Sequence, residues 1–146
     1  MKKKILLTCF YFLITVLSYS QSYSLEGEWY SEEKDAIITI IKESRGTYSG
    51  FITWMKNPND ENGNPKTDQL NPDESLKNRS RLGMKIMYNF VYDGDDEWDN
   101  GRIYDPKSGK TYRGTITMTS KNRLDLRGYV GISWFGRTSY WTRKTK

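Results

Sequence analysis

The acidic side chains are the first candidates for chemistry in this chain. Two carboxyl groups about 5–9 Å apart can cleave a glycosidic bond, and five carboxylates are available: Asp68, Asp73, Glu97, Asp99 and Asp105. Their spacing along the sequence selects no pair. The sequence has no histidine, which excludes a Ser-His-Asp triad, Cys-His catalysis, histidine-ligated zinc and a histidine pH switch. We therefore expect a protein that is not an enzyme.

Two acidic and amide-rich segments, 57–61 and 93–97, could offer oxygen ligands to calcium. Neither has the spacing of an EF-hand loop, which requires glycine at its sixth position and glutamate at its twelfth. The turn-forming tendency of Asn, Asp, Gly and Pro explains both segments. The sequence predicts no metal site and no cofactor.

Aromatic residues with polar tips form the third group of candidates. They alternate with polar residues on several predicted strands: Trp54, Tyr88, Trp98, Tyr104, Tyr112 and Tyr129. Such side chains suit a pocket for an amphiphilic or planar molecule, because buried O–H and N–H groups need partners. The same rings could instead fill a small barrel solidly, and the sequence leaves both interpretations open.

The first twenty residues have the three-part plan of a secretory signal peptide. Lysines at positions 2–4 precede an apolar run at 5–17, and small residues precede a cut before Gln21. Removing this segment removes the only cysteine, Cys9, and its three lysines lower the formal net charge from +5 to +2. We expect an exported protein, periplasmic or secreted, with a single domain at 21–146. We also expect no membrane span and no nucleic-acid partner.

A hydrophobic period of two runs through nearly all of the remaining chain and predicts eight strands. They cover residues 27–31, 36–42, 46–54, 82–90, 97–104, 110–119, 124–130 and 137–143. Most are joined by short turns, so they form a meander that closes into an antiparallel up-and-down β-barrel. A β-sandwich is the main alternative, but it needs long crossovers, and only 55–80 is long enough for one.

The alternation also predicts which side chains share a face. The third strand groups Tyr48, Gly50, Ile52 and Trp54, and the fourth groups Leu82, Met84, Ile86, Tyr88 and Phe90. The sixth strand groups Tyr112, Gly114, Ile116 and Met118, and the seventh groups Leu124, Leu126, Gly128 and Val130. A shift of one residue in any strand would reverse these assignments.

The long polar segment 55–80 interrupts the strands, and loops of this length are often functional. Asn71 could cap a short helical turn with Pro72 at its first position. Asp68 lies within this segment, and Arg81 directly follows it. A salt bridge between them would close the segment as a lid over the barrel mouth.

Four groups of residues together resemble the bacterial domain-of-unknown-function family numbered 2147. They are Asp68 with Asn71-Pro72-Asp73, Leu76, Arg79 and Leu82-Gly83; then 101–106 with 109–112; then Leu124 with 127–129 and Gly131; and last 136–138 with 141–143. The resemblance extends over about residues 25–143. It implies an exported single-domain protein with a lipocalin-like barrel, and it implies no activity.

The segment Gly27-Glu28-Trp29 and the last predicted strand resemble the closure of lipocalin-like barrels. In such barrels the tryptophan plugs one end and an arginine of the last strand lies across its ring, a cation–π contact worth about 0.5–2 kcal/mol. The resemblance implies structural roles for Trp29 and for Arg143 or Arg137.

Two functions fit these observations. The first is a carrier or sensor of a small hydrophobic or amphiphilic molecule, with a ligand site formed by Trp54, Tyr88, Trp98, Tyr104, Tyr112, Tyr129, Asp68 and Arg81. The second is a module with a filled core that binds a protein or a glycan through exposed aromatics such as Trp134 and Phe135. A hydrolase that uses Asp68, Asp99 and Asp105 is a weaker third. The oligomeric state is left open.

Overall fold

Eight antiparallel strands follow one another in chain order and close into a barrel. The computed structural model describes residues 22–132 and 136–145. The strands are β1 (Gly27–Tyr30), β2 (Ala36–Lys42), β3 (Tyr48–Met55), β4 (Lys85–Gly94), β5 (Glu97–Asp105), β6 (Lys110–Ser120), β7 (Arg123–Tyr129) and β8 (Gly136–Arg143). Pairing of β8 with β1 completes the ring, so the predicted up-and-down barrel is confirmed.

Some predicted features lie outside the described residues, namely the signal peptide at 1–20 with its cut before Gln21, and the pair Trp134-Phe135. Within the described ranges, the structure has no helix that is long and apolar enough to cross a bilayer.

The meander places alternate connections at opposite ends of the barrel. We call the end with the connections that follow β1, β3, β5 and β7 the mouth, and the opposite end the closed end. Large apolar side chains fill the closed half: Trp29, Trp98, Ile116 and Leu124 are almost completely buried. Burial of such side chains is the main source of stability in a barrel of this size.

Glycines let the barrel contain a bulky ring at mid-height. A Cβ atom added at Gly101 would lie 2.3 Å from the ring of Phe90, and one added at Gly114 would lie 2.9 Å from the same ring. Phe90 therefore occupies the space that side chains at these two positions would take. It is fully buried.

A bulge at the end of β3 makes the predicted orientation of Trp54 wrong. Ile37 pairs with Trp54, whereas the next residue, Ile38, pairs with Ile52, so β3 contains one extra residue at Thr53. An extra residue reverses the side-chain alternation beyond it. Ile52 is buried, and Trp54 is 42% exposed.

Irregular pairing also corrects the predicted face of the fourth strand. Gly50 pairs with Met87 and the next residue, Phe51, pairs with Lys85, so Ile86 is extra. Met84, Ile86 and Phe90 are buried as predicted, and Met87 is buried as well. Leu82 precedes β4 and is exposed, and Tyr88 is only half-buried.

The faces predicted for the sixth and seventh strands are largely correct. Gly114, Ile116 and Met118 are buried on β6, as are Leu124 and Leu126 on β7. Tyr112 and Gly128 are half-buried. Val130 lies beyond the end of β7 and is exposed, so its predicted place in that strand is wrong.

The connection between β3 and β4 contains one short 3₁₀-helix, Glu74–Leu76. Its N-cap is Asp73, whose carboxylate accepts a hydrogen bond from the Ser75 backbone N–H. The predicted cap, Asn71, instead accepts a hydrogen bond from the Asp73 backbone N–H. The helical turn therefore begins two residues later than its sequence indicates.

Candidate functional site

The half of the barrel nearest the mouth is hollow and contains a cavity of about 840 Å³. Small-molecule sites have volumes of about 300–1,000 Å³. Six strands each contribute one large apolar residue to the wall: Ile38, Ile52, Ile86, Ile103, Leu126 and Trp141. The inward-facing side chains of these strands therefore form an apolar pocket next to the filled half of the barrel.

Residues with polar side chains also line this wall, namely Tyr104, Tyr112, Tyr129 and Ser139, although the Tyr104 hydroxyl itself bonds to Asp68 outside the cavity. The indole N–H of Trp141 donates to the Ser139 hydroxyl over 3.0 Å, so this buried polar group is satisfied within β8. An apolar pocket with a few polar groups can orient an amphiphilic molecule.

Charged residues surround the mouth of the cavity. The Lys107 ammonium lies 2.8 Å from a Glu33 carboxylate oxygen and 2.9 Å from one of Asp35. Arg137 lies 3.4 Å from Glu32. These ion pairs join the turn after β1 to the turn after β5 and to β8. We call these five residues the rim.

The rim groups shift one another's protonation. Hydrogen bonds with Glu33 and Asp35 raise the pKa of Lys107 above its ordinary value. For Asp35, burial acts to raise the pKa, but hydrogen bonds from Lys107 and Ser31 outweigh it, and the net pKa is lowered. Both shifts favour the charged forms, so the Lys107–Asp35 pair stays ionised at neutral pH.

A buried carboxylate supports the cavity wall from behind. Asp68 is fully buried; its Oδ1 accepts from the Tyr104 hydroxyl over 2.5 Å, and its Oδ2 accepts from Asn71 and from Arg79 Nε over 2.7 and 3.0 Å. Burial and the hydrogen bond to Asp68 raise the pKa of Tyr104 to about 12. Tyr104 is therefore a neutral hydrogen-bond donor at physiological pH.

The predicted partner of Asp68 is wrong, because Asp68 pairs with Arg79 rather than Arg81. Arg79 Nη2 lies 2.9 Å from Asp68 Oδ2. Arg81 Nε instead donates to the Thr67 backbone oxygen. None of the described residues that line the cavity belongs to the 56–84 segment. The segment is thus tied to the outside of the wall through Tyr104, and the predicted lid over the mouth is not seen.

The closed end is sealed by Trp29 and Arg143. The Arg143 guanidinium lies 4.1 Å from the Trp29 ring centroid and donates to the backbone oxygens of Lys121, Glu26 and Ser24. The Trp29 indole N–H donates to the Leu25 backbone oxygen. Of the two arginines considered from the sequence, Arg143 contacts Trp29, and Arg137 lies at the opposite end on the rim.

The aromatic residues predicted to bind a ligand divide into two groups. Tyr104, Tyr112 and Tyr129 line the cavity. Trp98 is buried in the closed half, with its ring centroid 5.9 Å from that of Tyr48. Tyr88 donates to the backbone oxygen of Lys85 in its own strand, and Trp54 lies on the outside of the barrel. These three do not line the cavity.

Sequence reasoning missed most of the apolar wall and the rim. The period-two pattern places isoleucines on the inward faces, but it does not distinguish the wall of a cavity from a filled core. Trp141 carries the same inward signal on β8. The contacts of Lys107 with Glu33 and Asp35 join positions more than seventy residues apart, and nothing in the local sequence indicates them.

Two of the carboxylates considered for catalysis, Asp105 and Asp68, have structural partners. Asp105 accepts from the Lys107 backbone N–H and the Ser108 hydroxyl, which makes it a turn residue. Asp68 is held by the partners given above. Among the residues in 22–132 and 136–145, no group of three or more acidic side chains is placed to hold a metal ion.

Comparison with known proteins places this chain in a family. Protein HP1028 from the human pathogen Helicobacter pylori, described as belonging to the lipocalin family, has a similar structure, with a TM-score of 0.72, 23% sequence identity and coverage of 85% of each chain. This likeness shows a shared fold. No curated protein matches the chain. The family model for an uncharacterized protein conserved in bacteria matches residues 27–143, and the chain therefore belongs to the DUF2147 family.

Proposed function

We propose that this protein is an exported carrier or sensor, and not an enzyme, that binds a small hydrophobic or amphiphilic molecule in the mouth half of its barrel. The cavity of about 840 Å³ with its apolar wall carries this proposal. Apolar burial contributes about 25 cal/mol per Å² to such binding. The first twenty residues have the pattern of a signal peptide, which supports a location in the periplasm or outside the cell.

A cavity-filling substitution tests this proposal. Gly128 lines the cavity, and a Cβ atom added there would lie 3.6 Å from its nearest neighbour, which is ordinary contact. Its neighbours Leu124 and Leu126 on alternate positions point inward, so Gly128→Phe places a ring in the cavity without removing any packing. Thr119→Phe, at an exposed position of β6, is the matched control.

The readout is fluorescence titration with N-phenyl-1-naphthylamine, a neutral apolar probe, at neutral pH. We expect saturable binding to the wild type and to Thr119→Phe, and a loss of at least about tenfold in affinity for Gly128→Phe, because the added ring occupies the probe's space. Equal binding by all three proteins would place the probe outside the cavity. No saturable binding by the wild type would contradict the proposal.

A protein- or glycan-binding role is the second candidate, and one observation favours it. Val130 and Ile132, after β7, are 69% and 61% exposed, the two highest values among the large apolar side chains of the described residues, and neighbouring exposed apolar side chains can mark an interaction surface. If this surface binds a glycan, Ile132→Ser should abolish binding on a glycan array, and Gly128→Phe should retain it. The reverse pattern would assign glycan binding to the cavity.

A further inference from the structure

We infer that the cavity selects amphiphiles with a cationic headgroup over those with an anionic headgroup. This inference rests on the proposed function, since it concerns the class of molecule that enters the same cavity. It is drawn from the charges that line the cavity and from the carboxylate partners of the two cations among them.

Carboxylates outnumber cations along the cavity lining. The acidic residues are Glu32, Glu33, Asp35 and Asp105, and the basic residues are Lys107 and Arg137. The formal net charge of the residues that line the cavity is therefore −2. The three residues between Ile132 and Gly136 are Ser, Trp and Phe, which add no charge.

Both cations already have carboxylate partners. Lys107 contacts two carboxylates within 2.9 Å, and Arg137 contacts Glu32 at 3.4 Å. An anionic headgroup would have to displace these partners or lie beside them at a Coulombic cost. The rim thus offers no unpaired cation among its described residues for a carboxylate or phosphate.

A cationic headgroup, in contrast, is attracted by the carboxylates of the rim. An ionised carboxylate can accept about four hydrogen bonds. Glu33 accepts one from Lys107, and Asp35 accepts one from Lys107 and one from the Ser31 hydroxyl. Acceptor capacity remains at the mouth, and an ammonium group placed there adds attraction to carboxylates that Lys107 only partly balances.

The charges and the apolar wall are separated along the barrel axis. The six charged residues lie in the turn after β1, at the end of β5 and in the turn that follows it, and at the start of β8, whereas the aliphatic side chains lie deeper on the strands. A chain-like molecule would place its tail among the isoleucines and its headgroup at the rim. Tyr112 also lines the cavity, and aromatic faces attract ammonium groups.

Three probes with the same twelve-carbon tail test this inference. Dodecylammonium, dodecan-1-ol and dodecanoate, each below its critical micelle concentration or solubility limit, compete with N-phenyl-1-naphthylamine for the mature protein at neutral pH. At low ionic strength we expect the cation to bind roughly tenfold or more tightly than dodecanoate, with the alcohol between them. The difference in affinity between the cation and dodecanoate should be smaller at about 0.5 M salt, because salt screens the charges of the rim.

Variants assign the selectivity to the rim. Glu33→Gln should reduce the ratio of the affinity for the cation to the affinity for dodecanoate by several-fold. Glu74→Gln, at an exposed position outside the cavity lining, is the control and should behave as the wild type.

The outcomes separate the inference from the proposed function. Equal affinity for the cation and the anion, tighter binding of dodecanoate, or an unchanged preference in Glu33→Gln would overturn the inference while the cavity remains a binding site. Failure of dodecan-1-ol to displace the probe, or of the probe to bind at all, would overturn the proposed function itself.

Discussion

Asp68 and Arg143 are two charged residues on which opposite ends of the barrel depend. Asp68 is fully buried and hydrogen-bonds to Tyr104, Asn71 and Arg79, and a buried charge with such partners is costly to disturb. Arg143 donates to three backbone oxygens and covers the Trp29 ring. At the residue scale, the contacts of Asp68 hold Tyr104 in the barrel wall, and the contacts of Arg143 seal the closed end.

The Tyr104 hydroxyl is predicted to make stability depend on alkaline pH. Its pKa is about 12 in the folded protein, against an ordinary value of 10.0. The unfolded chain therefore loses this proton first as the pH rises. The stabilisation is complete below pH 10 and is lost as the pH rises through 12.

Tyr104→Phe should lower the free energy of unfolding by about 1–3 kcal/mol at pH 7, because it leaves a buried carboxylate oxygen without its donor. It should also remove part of the loss of stability between pH 10 and 12. Urea unfolding at pH 7 and pH 11 measures both effects. Tyr92→Phe, whose hydroxyl contacts Ser22 at the surface, is the control; a cost equal to that of Tyr104→Phe would contradict this role.

Arg143→Lys tests the seal at the closed end. Lysine keeps the positive charge but lacks the planar fork that bonds the three carbonyl groups, so we expect a loss of about 1.5–3 kcal/mol in unfolding free energy. Arg137→Lys is a matched control on the same strand. Its side chain is 83% exposed in a single ion pair, and such a pair contributes about 0–1 kcal/mol. Similar losses for the two variants would show that Arg143 does not act as a seal.

At the scale of strands and loops, the sequence predicted the elements well and their local irregularities poorly. The predicted bounds of β2 are the observed ones, and the inward faces of β6 and β7 follow from simple alternation. The bulge at Thr53 turns the Trp54 side chain to the outside of the barrel, and the extra residue Ile86 brings the Met87 side chain into the core. Bulges depend on the register between two strands, which one strand's sequence does not encode.

The candidate site could be predicted only in part for the same reason. Tyr104, Tyr112 and Tyr129 were expected at a pocket and line the cavity. Asp68 was expected to form a salt bridge, but its partner, Arg79, depends on how the loop folds back. Rim contacts such as Lys107 with Glu33 join turns that are distant in sequence, so they follow from barrel closure and not from any local pattern.

Gly101→Ala tests the packing of adjacent strands at mid-height. An added Cβ atom would lie 2.3 Å from the Phe90 ring, so we expect a loss of about 1–3 kcal/mol in unfolding free energy from overpacking. Combining it with Phe90→Leu should cost less than the sum of the two single changes, since a smaller side chain makes room. Gly128→Ala, with ordinary contacts, should be tolerated. Additive effects would contradict a direct clash.

At the scale of the whole molecule, the barrel is divided into a filled half and a hollow half. The filled half contains the largest buried side chains, Trp29, Phe90 and Trp98, while the mouth half is lined by isoleucines and tyrosines around about 840 Å³ of space. The two interpretations that the sequence left open therefore each describe one half. The filled half stabilises the fold, and the hollow half contains the cavity in which we propose that a ligand binds.

Methyl NMR of the isoleucine side chains tests this division most directly. Ile38, Ile52, Ile86 and Ile103 line the cavity, whereas Ile40 and Ile116 are buried in the core outside its lining, and Ile41 and Ile132 are exposed. On titration of dodecan-1-ol into the isoleucine-labelled mature protein, we expect saturable shifts in the first four methyl signals and little change in the others. Shifts confined to Ile41 or Ile132, or no saturable shift at all, would contradict a ligand site inside the barrel.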